Sequence, residues 1–180
     1  MSDRNDARQL VVFTLGEEEY ALPISYVHEI IRYTEPRTVA SADHSVRGVI
    51  SLRGKILPVF DLATRLGITA GEPEERSKIV IVETGSEMAG VVVDSVEEVL
   101  TVEEQLIDDG SALGGISGAV IDGIAKIDDR LVVLLSPEAI VAIGADFSSA
   151  QAEVAAAATV RPEDVAVGAD EAASDVAVAA

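Results

Sequence analysis

The chain has no cysteine and no tryptophan, and only two histidines, three phenylalanines and three tyrosines in 180 residues. Without cysteine, disulfides and thiolate metal sites are excluded. The imidazoles are His28 and His44, and neither has a nearby carboxylate pattern resembling a zinc site. No apolar run approaches the roughly 18 residues of a membrane span. Met1-Ser2-Asp3-Arg4 does not open a secretory signal. These absences lead to the expectation of a soluble cytoplasmic protein.

Cations are scarce too. There are 13 basic residues against 32 acidic ones, and the only lysines are Lys55, Lys78 and Lys126. Of the net charge of −19, residues 147–180 carry −5 (six acids, one arginine), which leaves −14 on the body. Self-repulsion of that size weakens a compact state in dilute buffer. In about 1 M salt the Debye length falls to roughly 3 Å and most of the penalty goes. The charge is therefore read as that of a halophilic protein, with an acidic partner-binding face as the other explanation. Either way no basic stripe exists to displace counterions from a phosphate backbone, so no nucleic-acid partner is expected.

What is present is aliphatic and β-patterned. Hydrophobic residues make up 48%, mostly Val, Ile, Leu and Ala. The stretch Gly48–Leu62, GVISLRGKILPVFDL, reads as a hairpin with arms Val49–Leu52 and Ile56–Phe60 joined by Arg53-Gly54-Lys55. Gly54 suits a positive φ, and Asp61 can cap a short helix that ends at Gly67. In so acidic a chain, two cations beside a glycine stand out.

The layout recurs in the second half as GIAKIDDRLVVLLSP, Gly123–Pro137. Gly48 matches Gly123, Leu52 matches Ile127, Ile56-Leu57 match Leu131-Val132, and Asp61 matches Ser136. A second helix follows over 137–143, with Pro137 at its start and Gly144 beyond its end. Two explanations stay open: a generic hairpin leading into a helix, or a duplicated β unit. The tips differ, with Asp128-Asp129-Arg130 in the second copy, which suggests that the first tip has a job of its own.

Elsewhere, strands are expected over 9–15 and 20–24, with Ser25 capping a helical turn that carries Ile24, Val27 and Ile30 or Ile31 on one side. Lys78–Glu83 and Ala89–Asp94 form another hairpin. Gly71–Arg76 is polar and turn-like, a junction between halves. A glycine-rich loop runs from Asp108 to Gly118, and strands over 119–127 and 131–135 close the domain. From Phe147 onward alanine dominates, mixed with valine and acids, and the segment is read as a mobile tail.

Chemistry motifs are wanting. Gly54-Lys55 lacks the flanks of a P-loop, and Gly114–Gly118 links no strand to a long helix. Asp108-Asp109 and Asp128-Asp129 are paired acids of the solvated kind. No catalytic site, cofactor or metal is expected.

Four segments in order, VVFTLGEEEYALPISYVHEI (11–30), VRGVISLRGKILPVFDL (46–62), KIVIVE (78–83) and MAGVVVDSVEEVL (88–100), resemble the CheW family of chemotaxis coupling proteins over roughly residues 8–146. The resemblance implies an all-β fold with short helices: two SH3-like five-stranded β-barrel subdomains sharing a core. An arm over 1–7 precedes it and the tail over 147–180 follows. The junction falls near 71–77, with strand exchange between subdomains left open. It further implies an adaptor that binds chemoreceptor cytoplasmic tips and the regulatory domain of the histidine kinase CheA, without catalysis or membrane insertion, recruited from the cytoplasm to receptor arrays. Carried over by position, the receptor-binding residues are Val27, Glu29, Ile30, Arg53, Gly54, Ile79 and Val80. The kinase-facing residues are not assigned. The alternative is a CheW-like regulatory module that binds the kinase but no receptor.

Overall fold

Alternating aliphatic and polar residues, punctuated by two-residue turns, give the chain eleven strands among the residues described in the computed structural model, which are 7–69, 71–85, 87–110 and 120–142. All of these fall in one compact unit, Met1–Ala145. The expected tail over 147–180, residues 1–6 of the arm, most of the glycine-rich loop and the end of the second helix lie outside the described residues.

The strands are β1 (Ala7–Leu15), β2 (Glu18–Pro23), β3 (Val27–Arg32), β4 (Val46–Leu52), β5 (Lys55–Asp61), β6 (Lys78–Thr84), β7 (Glu87–Val93), β8 (Ser95–Glu103), β9 (Ile107–Asp109), β10 (Ile121–Ile127) and β11 (Arg130–Leu135). Helix α1 (Leu62–Leu66) follows β5, and α2 is described from 137 to 142. One sheet has the order β8-β1-β2-β11-β10-β9 and the other β3-β6-β7-β5-β4. The strands are antiparallel except where β5 meets β7 and β11 meets β2.

Each sheet mixes the two sequence halves. The five-stranded sheet inserts the β6–β7 hairpin among β3, β4 and β5, and the six-stranded one inserts β1–β2 among the strands from β8 onward. The chain crosses between sheets at the 3-10 turn Ile24–Tyr26 and again at Asp94. The polar segment 71–77 is therefore no crossing point, since β5 before it and β6 after it share a sheet. It is also tied down: Ser77 is buried, its hydroxyl accepts from the Glu74 N–H at 2.8 Å, and its carbonyl accepts from Tyr33 N–H at 3.0 Å.

The helical turn expected after Ser25 stops at Tyr26. From Val27 the chain is a strand, because Glu29–Arg32 can pair antiparallel with Lys78–Ile81 and present alternate side chains to the interior. Long-range pairing overrides a local pattern that fits either period.

Among the described residues, three apolar clusters fill the interior. The largest joins both sheets and takes in Phe13, Leu15, Tyr20, Leu22, Phe60, Leu62, Val80, Val82, Val91, Leu135 and Ile140. A second fills the six-stranded barrel around Leu10, Val12, Ala125, Val132 and Leu134. The third fills the five-stranded barrel around Ile50, Leu57, Val59, Ile79 and Ile81. The chain thus forms two SH3-like barrels that share a core.

Candidate functional site

Seen along the five-stranded sheet, β3 and β4 are its two edges. The β4–β5 tip reaches back toward β3, and Arg53 meets Glu29 there, with Nη2 3.5 Å from Oε2. The tip is a two-residue turn closed by the Leu52–Lys55 pair, with φ of 50° at Arg53 and 83° at Gly54. Two successive positive φ values are the mirror-image turn that matches strand twist. Gly54 supplies that geometry freely, and a Cβ there would meet nothing within 4 Å. Arg53 adopts it at a cost, and its side chain is 76% exposed.

Glu29 owes its place to a bulge. Val27 pairs with Val82 and Glu29 with Ile81, so His28 is the extra residue. A bulge re-aims the side chains around it. His28 turns outward and its Nδ1 lies 2.7 Å from Glu83 Oε2. The Glu29 side chain is only 24% exposed, and its Oε1 is buried without a hydrogen-bond partner, with His28 Nε2 no nearer than 3.9 Å. A carboxylate so poorly satisfied beside an exposed arginine can accept a further donor.

Of the other residues expected at this site, Ile30 is 39% exposed and Val27 is partly buried against the shared core. Ile79 and Val80 are fully buried on opposite faces of β6, Ile79 in the barrel cluster and Val80 in the shared one. They offer no apolar patch; they hold β3 in place through the Ile30–Val80 and Ile31–Ile79 pairs. The apolar surface around β3 is Ile30 with part of Val27, and Ile24 exposed nearby in sequence, while Ile56 is exposed on β5 next to the tip. The structure brings Glu29, Arg53 and Gly54 together and puts Ile79 and Val80 beneath them.

Beside the tip opens a cavity of about 200 Å³ lined by His28, Leu52, Arg53, Lys55, Leu57 and Met88. His28 and Met88 do not belong to the set expected from sequence. Their part depends on the His28 bulge and on β7 lying beside β5, and neither pairing is marked in the local pattern. Lys55 is conspicuous in the sequence itself, as a cation at the tip. Among the described residues, no three His, Asp or Glu side chains gather as a metal would need, and no helix is long and apolar enough to cross a membrane.

The family model for the CheW-like domain matches residues 9–144. A probable chemotaxis protein CheW of Rhizobium etli is 32% identical over 149 residues, covering 82% of this chain and 92% of that protein. The chemotaxis protein CheW of Thermotoga maritima is 32% identical over 136 residues, covering 74% and 87%. Among solved structures, the scaffolding protein TtCheW of Thermoanaerobacter tengcongensis superposes with a TM-score of 0.68 at 37% identity, over 72% of this chain and 88% of that one. The chain belongs to the CheW family.

Proposed function

We propose that this chain is a chemotaxis adaptor that couples chemoreceptors to the histidine kinase CheA, scaffolding the signalling complex and giving receptors control of the kinase. The observation that carries this reading is the Arg53–Glu29 contact across the mouth of a CheW-like barrel, next to exposed Ile30. A receptor hairpin presents helices, and a helix laid across β3 and the tip would meet one apolar anchor, one fork of donors and one under-satisfied carboxylate. Val27, Glu29, Ile30, Arg53 and Gly54 form the contact surface, with Ile79 and Val80 as its support. The kinase's regulatory domain docks on the barrel ends. The protein performs no catalysis, works in the cytoplasm of a halophile and is recruited to receptor arrays at the membrane.

The test is assembly at molar KCl from purified chain, CheA and a soluble fragment of a receptor's cytoplasmic hairpin, scored by co-elution and kinase activation. Co-elution of all three with activation supports the proposal. Retention of CheA with no receptor would select the regulatory-module alternative, and retention of neither would sink both.

A further inference from the structure

The two halves of the chain can be superposed through their ladders. Leu52–Lys55 closes one tip and Ile127–Arg130 the other, so Lys55 and Arg130 occupy one position. In the parallel ladders Val59 pairs with Gly90 and Leu134 with Ala21. Gly90 is thus the counterpart of Ala21, and two positions earlier Met88 is the counterpart of Glu19. On the bulged strands Glu29 pairs with Ile81 as Glu98 pairs with Val12, each just after a residue left out of register, His28 or Glu97. Glu29 and Glu98 are therefore counterparts.

These equivalences expose a charge that one barrel satisfies and the other does not. Arg130 donates to Glu19 at 3.0 Å and to Glu98 at 2.9 Å. Lys55, on the same scaffold position, has Met88 where Glu19 would be, and its Nζ lies 4.0 Å from the thioether sulfur. Its second counterpart acid, Glu29, is engaged by Arg53, at the place where the other tip carries Asp128. Among the described residues Lys55 has no carboxylate within ion-pair distance. It stands at the rim of the tip cavity, whose floor is Leu52, Leu57 and Met88.

We infer that the Lys55 cavity receives an acidic side chain from a partner helix, in the place that Glu19 fills in the other barrel. The inference rests on the receptor reading above and commits the occupant to the receptor hairpin: a carboxylate flanked by an apolar side chain. Charge complementarity sets the acid, since a lone ammonium over an apolar floor attracts a carboxylate and repels a second cation. The floor sets the apolar neighbour, because Leu57 and Met88 remain to be covered.

The experiment measures binding of the soluble receptor hairpin fragment to the full chain at about 1 M KCl, where diffuse repulsion is screened. Lys55→Met should weaken it about tenfold, with the urea midpoint unchanged. Met88→Glu gives Lys55 an internal partner and should weaken binding as much while holding or raising the midpoint. Replacing the acids of the fragment singly by Gln should reveal one whose effect disappears in the Lys55→Met background, the signature of direct pairing. Arg53→Glu serves as the reference variant. If it abolishes binding while Lys55→Met and Met88→Glu bind normally, the cavity inference falls and the receptor reading stands. If the unaltered chain does not bind the fragment, both fall.

Discussion

Gly48 and Gly123 do the same work in the two barrels. A Cβ on Gly48 would lie 2.2 Å from the Arg37 carbonyl oxygen, and one on Gly123 would lie 2.8 Å from that of Asp108. At each, the hairpin strand shifts register and a neighbouring stretch of backbone comes in close, Arg37 pairing with Val49 in one half and Asp108 with Ile124 in the other. In the second half that contact extends into the short β9; in the first it remains a single bridge, and this accounts for six strands in one sheet and five in the other.

Substitution at the two glycines should be costly in a definite order. Gly48 combines the closer backbone approach with a φ of 146°, whereas Gly123 has the steric conflict alone. Gly48→Ala should lower stability by more than about 3 kcal/mol and Gly123→Ala by about 1–3 kcal/mol. Urea unfolding of both variants tests this, and equal losses would contradict the geometry.

The helix caps carry a second asymmetry. Asp61 accepts from Thr64 N–H at 3.1 Å and also holds Arg47, whose Nε and Nη2 donate at 3.0 and 2.6 Å. Burial opposes the Arg47 charge, but Asp61 and Glu72 outweigh it and hold its pKa above the ordinary value. Ser136, in the matching place, accepts from Ala139 N–H at a longer 3.4 Å. Asp61→Ala should cost about 2–3 kcal/mol and Ser136→Ala about 0.5 kcal/mol. Losses of the same size would show that the Arg47 pair adds nothing to the cap.

How much of this is legible in the sequence depends on the range of the contact. The Gly48–Leu62 and Lys78–Asp94 hairpins are readable because their turn chemistry and alternation lie within one short stretch of chain. The duplication shows as an echo between the two halves, and the ladders give it a physical basis in matched bulges and matched tips. β3 reads falsely as a helical turn because Ile24, Val27 and Ile30 or Ile31 fit a helix face, and only pairing with β6, far along the chain, fixes the strand. At the site, Arg53 and Gly54 announce themselves by charge and turn type. The burial of Ile79 and Val80 depends on β6 being covered on both faces, and an all-aliphatic strand does not reveal that from its own residues.

Tyr20 predicts how the fold responds to alkali. It is 4% exposed, stacked on Phe13, and donates to Glu18 Oε2 at 2.7 Å. Burial first, and then the Glu18 carboxylate, push its pKa well above the ordinary 10.0. A folded-state pKa above the unfolded one means that the stability linked to the neutral phenol is complete below about pH 10 and is lost as pH rises past it. The urea midpoint should therefore fall from about pH 10 upward, and Tyr20→Phe should flatten that fall at a cost of about 1 kcal/mol at neutral pH. A fall of undiminished steepness in Tyr20→Phe would place its origin elsewhere.

The acid excess predicts a salt requirement. With −14 on the body and three lysines in all, the urea midpoint should climb steeply from about 0.1 M to several molar KCl as repulsion beyond the Debye length is screened. A midpoint that stays level across that range would remove the halophile reading and leave the acidic face to be explained by a partner.

Arg53→Glu is the decisive substitution for the proposed function. The side chain is 76% exposed and its ion pair with Glu29 is long, so its loss should move the urea midpoint little. Function should respond differently. The new carboxylate would face Glu29, whose Oε1 already lacks a hydrogen-bond partner, and the donor fork would be gone from the contact surface. Breaking a charge pair at a desolvated interface costs on the order of 2–5 kcal/mol, a loss of tens- to thousands-fold in affinity. Glu29→Arg should do similar damage, and the exchanged pair Glu29→Arg with Arg53→Glu should recover part of it, because the 3.5 Å contact can re-form with its poles reversed. Receptor-dependent kinase activation at high salt gives the readout. Normal activation by a folded Arg53→Glu chain would mean that the tip is a turn and nothing more, and that receptors dock away from the mouth of this barrel.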